Sequence, residues 1–310
     1  MKKIFFTLIL AVLALRAISQ EQATYTHYPI FPILINPGYT GFENQHQFLG
    51  NYRNSWSGFP GAPKSYTVMY HGPVGDKLGL GGGVFSENAG DLNLFRIQGN
   101  YAFRFQAGKT KIGLGLTTEF LNKQIDNALL SNPLVDPNDT DLENMADGES
   151  YFDASMGAHI LHDDKLFFDI TLPNVVRARL DEVPVDGEPE SNGVLAYYIM
   201  QLGYIFNVSD QNFKVIPSIT LRDIRDVPFQ VDINLQGRFL NEALITGLTY
   251  RPSTGGSLAF MLGTKVSMVQ ALYSYDVSFN DFQPYSGGGH ELTLSLNLSS
   301  KKANQTPATN

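Results

Sequence analysis

Cysteine is absent from the 310 residues, and tryptophan occurs once. The missing thiols exclude a disulfide framework, a thiolate metal site, a cysteine nucleophile and a lipidated amino-terminal cysteine. Charge is scarce as well: 17% of the residues are charged, and 30 acids against 22 bases give a net charge of −8. That balance speaks against a nucleic-acid partner, because a phosphate backbone selects a basic stripe. Beyond the first residues, no apolar run approaches the roughly 20 residues of a membrane helix. No HExxH or GxSxG occurs among the six scattered histidines and the serines. His159 and His162 are three apart in a strand-like stretch, so they point to opposite faces and cannot share a metal. No cofactor, no metal and no enzymatic role are expected.

What is present is apolar and aromatic. Hydrophobic residues make up 43%, with 15 Tyr, 21 Phe and 29 Gly, too much apolar surface for a disordered chain. The length leaves open two soluble domains, one large barrel, or one domain with long loops. Residues 1–19 read as a secretory signal peptide: Lys2 and Lys3, an apolar run over 4–15, then Ala17-Ile18-Ser19 with small residues at the −3 and −1 positions of a cut before Gln20. Removing it takes three of the 22 bases and no acid.

The rest alternates apolar and polar residues, the period-2 pattern of strands with two unlike faces. In 229–239, Phe229, Val231, Ile233, Leu235 and Phe239 oppose Gln230, Asp232, Asn234, Gln236 and Arg238. In 291–299, Leu292, Leu294, Leu296 and Leu298 oppose Glu291, Thr293, Ser295, Asn297 and Ser299. Fourteen such stretches fall near 45–53, 64–71, 77–86, 93–105, 109–123, 151–162, 165–173, 194–208, 213–222, 229–239, 243–251, 256–265, 269–279 and 290–298. Connections after the even stretches are short. Those after the odd ones are generally longer: 54–63, 87–92, 124–150, 174–193 and 280–289. A soluble β-sandwich has no reason to sort loop lengths by parity, whereas an outer-membrane barrel does. In lipid every backbone polar group must pair internally, so strands cross only as a closed barrel. The expected fold is all-β: a transmembrane antiparallel β-barrel of about 14 strands over 45–298. A short plug-like segment over 20–44 precedes it, and a polar tail over 299–310 follows.

Glycines in Lys77-Leu-Gly-Leu-Gly-Gly-Gly-Val84 and Lys111-Ile-Gly-Leu-Gly-Leu116 alternate with apolar residues and lack a following Lys-Ser/Thr. They read as strand positions that mark a bend or a close backbone approach, a patch of lumen wall kept bare so that something fits inside, not as a phosphate loop. Candidate lumen charges are Arg53, Arg104, Glu119, Asp153, Asp169, Asp232, Arg238, Asp276 and Glu291. Asp153, His159 and Asp169 are the one group that neighbouring strands could bring together, with structural polar pairing as the favoured reading. The acidic stretch 126–149 carries seven acids and no base. It offers oxygen ligands for Ca²⁺ over 136–143, but lacks the glycine of an EF-hand turn and reads better as a solvated loop.

Two motifs flank the first stretch: Ile35-Asn-Pro-Gly-Tyr-Thr-Gly41, and Tyr52-Arg-Asn-Ser-Trp56 with Phe59 and Gly61-Ala-Pro63. With the glycine-rich strand at 77–84, Tyr273-Ser-Tyr-Asp276 and Tyr285-Ser-Gly-Gly-Gly-His-Glu291, the chain resembles the PorP/SprF family of the type IX secretion system. The resemblance implies an outer-membrane barrel that binds and exports or anchors a secreted surface protein, or its C-terminal sorting domain. Other type IX components and outer-membrane lipid would be its further partners, and gliding motility a process it serves in some members. A diffusion porin and a surface enzyme are the alternatives. The motif positions carried over are Asn36, Pro37, Tyr39, Gly41, Arg53, Trp56, Gly58 and Pro63. Pro29, Pro32 and Pro37 break any regular element over 28–41, whose apolar residues need cover. They either tuck into the barrel against the glycine face or form a periplasmic tether. Trp56 reads as a belt aromatic or as a partner contact.

Overall fold

A computed structural model describes residues 25–127, 129–131, 140–176, 178–180, 197–208, 212–225, 227–253, 255–279 and 286–299. The alternating stretches form strands β1 (Gln45–Asn54), β2 (Lys64–Val74), β3 (Leu78–Ala89), β4 (Leu92–Ala107), β5 (Thr110–Ile125), β6 (Glu149–His162) and β7 (Leu166–Leu172). A two-residue bridge, β8 (Ala178–Arg179), lies against β6. Then come β9 (Tyr198–Tyr204), β10 (Phe206–Val208), β11 (Phe213–Asp223), β12 (Gln230–Phe239), β13 (Leu244–Arg251), β14 (Ser257–Val266), β15 (Val269–Ser278) and β16 (Gly289–Ser299). Because β10 continues β9 past Ile205 on the same partner β11, the wall has fourteen antiparallel staves. It closes where β1 pairs with β16, from Gln45↔Ser299 to Asn54↔His290. Every stave therefore has two hydrogen-bonded neighbours and no edge is left open.

Burial is inverted relative to a soluble domain. Ile233, Leu235, Phe260 and Leu294 are about half exposed on the outside, while Asp232, Thr220, Ser274 and Thr293 are fully buried inside. An apolar belt around a polar lumen is the arrangement that lipid demands. Among the described residues no helix is long and apolar enough to cross a membrane; the crossing is made by strands.

The strands fall within a few residues of the sequence expectation, and the parity of the connections holds with one local difference. The stretch 87–92, read as a longer loop, is a tight turn. Ladder pairs Glu87↔Leu94, Asn88↔Asn93 and Ala89↔Leu92 continue through its polar residues, and Gly90 supplies the left-handed backbone at φ +60°. Polar content suggested a loop, but hydrogen bonds between strand backbones do not need apolar side chains.

The segment before β1 lies inside the barrel, not beside it. Two short 3-10 turns, Pro32–Leu34 and Pro37–Tyr39, each begin on a proline, and the Asn36 side chain caps the second by accepting from the Gly38 N–H at 2.8 Å. Thr26, His27, Tyr28, Asn36 and Thr40 are buried. The signal peptide, residues 20–24, the 132–139 part of the acidic stretch, and the tail beyond Ser299 lie outside the described residues. Thr140–Asp147, at the end of the acidic stretch, is a short helix.

Candidate functional site

The inner segment is held in two ways at two levels. Its lower part, residues 36–41, is pressed onto glycines of the wall. A Cβ on Gly79 would stand in the Thr40 carbonyl, on Gly113 in that of Gly38, on Gly115 in that of Pro37, and on Gly157 against the Asn36 side chain. The glycine face thus admits another backbone, as close packing requires. Gly81 and Gly83, in the same alternating run, are instead crowded by the neighbouring strand β2 at Tyr70, His71 and Met69. The fourth floor glycine, Gly157, was not singled out in the sequence. It pairs with Gly115 across β5 and β6, and only that cross-strand register reveals it.

Around this floor the polar groups converge. The Asn36 amide donates to the Ala158 carbonyl at 3.0 Å and to Asp169 Oδ1 at 2.6 Å, and the same oxygen lies 2.7 Å from His159 Nδ1. The Tyr39 ring sits edge-on to His159, with centroids 5.0 Å apart, and its hydroxyl donates to Glu43. Gly41, at φ +65°, donates its N–H to His71 Nδ1 at 3.1 Å. Its carbonyl accepts from Arg104, whose guanidinium also bonds Asn44 Oδ1 at 2.6 Å and the carbonyls of Gly75 and Leu78, both at 3.1 Å. Arg104 thereby pins the exit of the segment to the short-turn end of the barrel. His159 and Asp169 do come together, as considered. Asp153 bonds the Asn174 amide at 2.6 Å instead, and no hydroxyl or thiol nucleophile joins the pair in the described contacts. His162 sits on the exposed side with Thr110.

The upper part, residues 25–35, reaches the long-loop end, where an arc of alternating charges crosses the wall. Asp232 accepts from Arg222 at 2.7 Å and lies 3.5 Å from Arg251, which is 3.5 Å from Asp276. Arg53 then joins Asp276 at 2.7 Å and Glu291 at 2.8 Å. The segment adds neutral groups to this arc. Thr26 donates its N–H to Glu291 at 2.7 Å and its hydroxyl to Asp276 at 2.9 Å. His27 Nδ1 lies 2.6 Å from Thr293, and the Tyr28 hydroxyl lies 2.9 Å from both Thr220 and Asp232. The Arg222 guanidinium covers the Tyr28 ring at 4.3 Å. Below them Ile30 and Phe31 join Leu49, Ile245, Met261 and Leu272 in an apolar cluster, and Ile35 packs on Ile199, Ile224 and Val227.

The sequence named Arg53, Asp232, Asp276 and Glu291 of this arc but passed over Arg222 and Arg251. Their signal was available: each continues the inward-facing parity of its strand, two residues beyond Thr220 and Thr249. At the short-turn end, beside the glycine floor, a cavity of about 450 Å³ remains. Pro29, Ile30, Pro32, Tyr39 and Phe42 wall it on the segment's side, and Lys111, His159, Leu161, Phe167 and Arg238 on the barrel's side.

The remaining motif residues leave the lumen. Trp56, Gly58 and Pro63 form the first long connection, between β1 and β2. Its ends are tied by Ser55 N–H to the Pro63 carbonyl at 2.9 Å, and its middle to the connection before β16 by a reciprocal pair, Ser57 N–H to Gly288 at 2.7 Å and Gly287 N–H to Ser57 at 2.6 Å. Trp56 and Gly58 hold left-handed backbone at φ +52° and +87°. Trp56 is 52% exposed and Phe59 48%.

A closed fourteen-stave wall with this motif-built interior is the setting for the comparison with known proteins. The family described as type IX secretion system membrane protein PorP/SprF matches over residues 17–296. The chain belongs to the PorP/SprF family. Nothing among curated proteins matches it. Its fold is similar to that of the CymD monoaromatic hydrocarbon channel, at 13% identity and TM-score 0.51, covering 83% of this chain and 88% of that one. The TodX deltaS2S3 mutant monoaromatic hydrocarbon channel aligns at 10% identity and TM-score 0.50, covering 92% and 98%. The Acinetobacter baumannii outer membrane protein Omp33 aligns at 6% identity and TM-score 0.48, covering 84% and 100%. At these identities the likeness concerns the barrel fold. For this PorP/SprF chain, the family elements divide between a segment that fills the lumen and a loop that leaves it.

Proposed function

We propose that this protein is an outer-membrane component of type IX secretion that binds a secreted surface protein, for export or for anchoring, through its first long connection. The observation that carries this reading is the loop of residues 55–63. Family motif positions build it, main-chain bonds hold it rigid, and Trp56 and Phe59 stand in solvent upon it. A rigid exposed aromatic is the kind of anchor that dominates protein interfaces, because little conformational entropy is lost on binding. Short turns face the periplasm in barrels of this kind, so the loop faces outward. Signal-peptide cleavage before Gln20 delivers the chain to that compartment. The role is non-enzymatic: His159 and Asp169 act as packing and orienting groups for Asn36 and Tyr39. A steady diffusion porin fits less well, since the family's own segment occupies the lumen.

The test uses Trp56→Ala in cells. The variant is expected to insert normally, judged by the heat-dependent gel shift of a folded barrel. The amount of partner retained at the surface should fall about tenfold or more, in keeping with loss of an interface anchor. Unchanged retention on a normally inserted variant would overturn the assignment to this loop.

A further inference from the structure

We propose that the barrel is also a gated passage, with residues 25–35 of its own inner segment as the gate and residues 36–41 as the hinge that stays behind. The two halves are held differently. The lower half is moulded backbone-to-backbone into Gly79, Gly113 and Gly115 and clamped by Arg104, and it cannot shift without reshaping the wall. The upper half is held by hydrogen bonds that Thr26, His27 and Tyr28 make to the wall, by the Gln236 amide donating to the Pro29 carbonyl, and by apolar contact at Ile30 and Phe31.

The charges decide that this half can leave. From Tyr25 to Phe42 the segment carries no Asp, Glu, Lys or Arg, and its one histidine, His27, lies 3.5 Å from Glu291, a carboxylate that keeps Arg53 at 2.8 Å when the segment leaves. The wall charges it touches are already paired with one another: Arg222 with Asp232, Arg251 with Asp232 and Asp276, Arg53 with Asp276 and Glu291. Withdrawal therefore strands no buried ion, the step that makes most polar cores unopenable, and water can replace the neutral donors. Burial of Ile30 and Phe31 keeps the closed state dominant at rest.

The gate also has somewhere to open. Pro29, Ile30 and Pro32 form one side of the cavity that lies beside the glycine floor at the short-turn end. Moving residues 25–35 toward the long-loop end, where Tyr25 and Thr26 already lie, joins that cavity to the outward mouth. The exposed lining is Gln201, Gln236, Asp232, Arg222 and Arg251, polar and charged, which suits hydrated ions and small polar solutes and not apolar ones.

Purified full-length protein in planar bilayers tests this without any partner, so its outcome is independent of the loop reading. The wild type is expected to be mostly closed with brief openings. Tyr28→Phe keeps the ring under Arg222 but loses the hydroxyl bonds, and should raise the open fraction about tenfold. His27→Cys with Thr293→Cys places the only two thiols of the chain side by side. Bridging them with a short bis-methanethiosulfonate, which forms a disulfide with each thiol and releases methanesulfinate, should abolish the openings, and reductant should restore them in the same folded molecules. Openings that persist at full frequency with the bridge intact would overturn the proposal. So would a folded, heat-shifting barrel lacking 25–35 that stays silent.

Discussion

Asn36 shows how much one side chain can organise. Its amide donates to Asp169 and to the Ala158 carbonyl, and its oxygen caps the Pro37–Tyr39 turn. All three bonds lie in a site where the residue is 1% exposed. Asn36→Ala removes two donors from buried acceptors and uncaps the turn, and should lower barrel stability by about 1–3 kcal/mol, read as a lower urea midpoint in detergent. Asn36→Asp should be worse, because it places a second carboxylate where the amide bonded Asp169. Glycines give the complementary case. Gly115→Ala drives a methyl into the Pro37 carbonyl, whereas Gly50→Ala meets nothing within 4 Å. The first should unseat the inner segment, exposing it to protease, and the second should leave the digestion pattern unchanged. Asn36 and Gly115 were both visible as motif or strand positions. Their roles were not, because the partner Asp169 is 133 residues away in sequence and only barrel closure brings it near.

At the scale of elements, the hairpins at the short-turn end are stapled by charge. In the turn between β12 and β13, Glu242 meets Lys214 of β11 at 2.9 Å, Arg238 of β12 at 3.4 Å and Lys265 of β14 at 3.7 Å. Burial pushes the Glu242 carboxyl up, but Arg238, Lys214 and Lys265 outweigh it and hold it at about 2 against an ordinary 4.5. A carboxyl depressed by folding contributes stability that is complete above its unfolded value and fades as pH falls through the folded one. Glu242→Gln should therefore lower the unfolding midpoint at pH 7 by an amount worth at most about 1 kcal/mol, since the group is partly solvated. The gap between variant and wild type should shrink between pH 4.5 and 2; a constant gap across that range would contradict the pairing. Strands as elements were readable because two unlike surroundings, lipid and a polar lumen, imprint strict period 2 on the sequence. The turn at Gly90 was not, because its flanking strand residues, Glu87 and Asn88, lie where the barrel rises out of the apolar belt and the imprint fades.

For the whole molecule, closure is the property on which everything else depends. Parity of loops and an even number of alternating stretches announced a closed wall, but which residues of the lumen meet across it was hidden, since contacts such as Thr26 to Asp276 depend on the register of the entire ring. Register itself is completed at one seam. There β1 and β16 pair over ten positions, ending at Gln45↔Ser299, and Leu292, Leu294 and Leu296 face outward, while Glu291 and Thr293 face the arc and the inner segment and Ser295 bonds Gln47 of β1. A chain ended at Ser299 keeps every one of those pairs, so it should still fold to a heat-shifting barrel in detergent. A chain ended at Ser295 loses the four pairs from Leu296↔Phe48 to Ser299↔Gln45, leaving the lower half of β1 as an open edge in lipid, where each unpaired backbone group is costly. It should fail to show the shift and should expose the inner segment to protease, because Gln47 at the foot of β1 loses Asn297, and Gln47 positions the His71 ring that accepts from the Gly41 N–H at the segment's exit. Equal folding of the two truncations would mean that the seam is not what closes the ring.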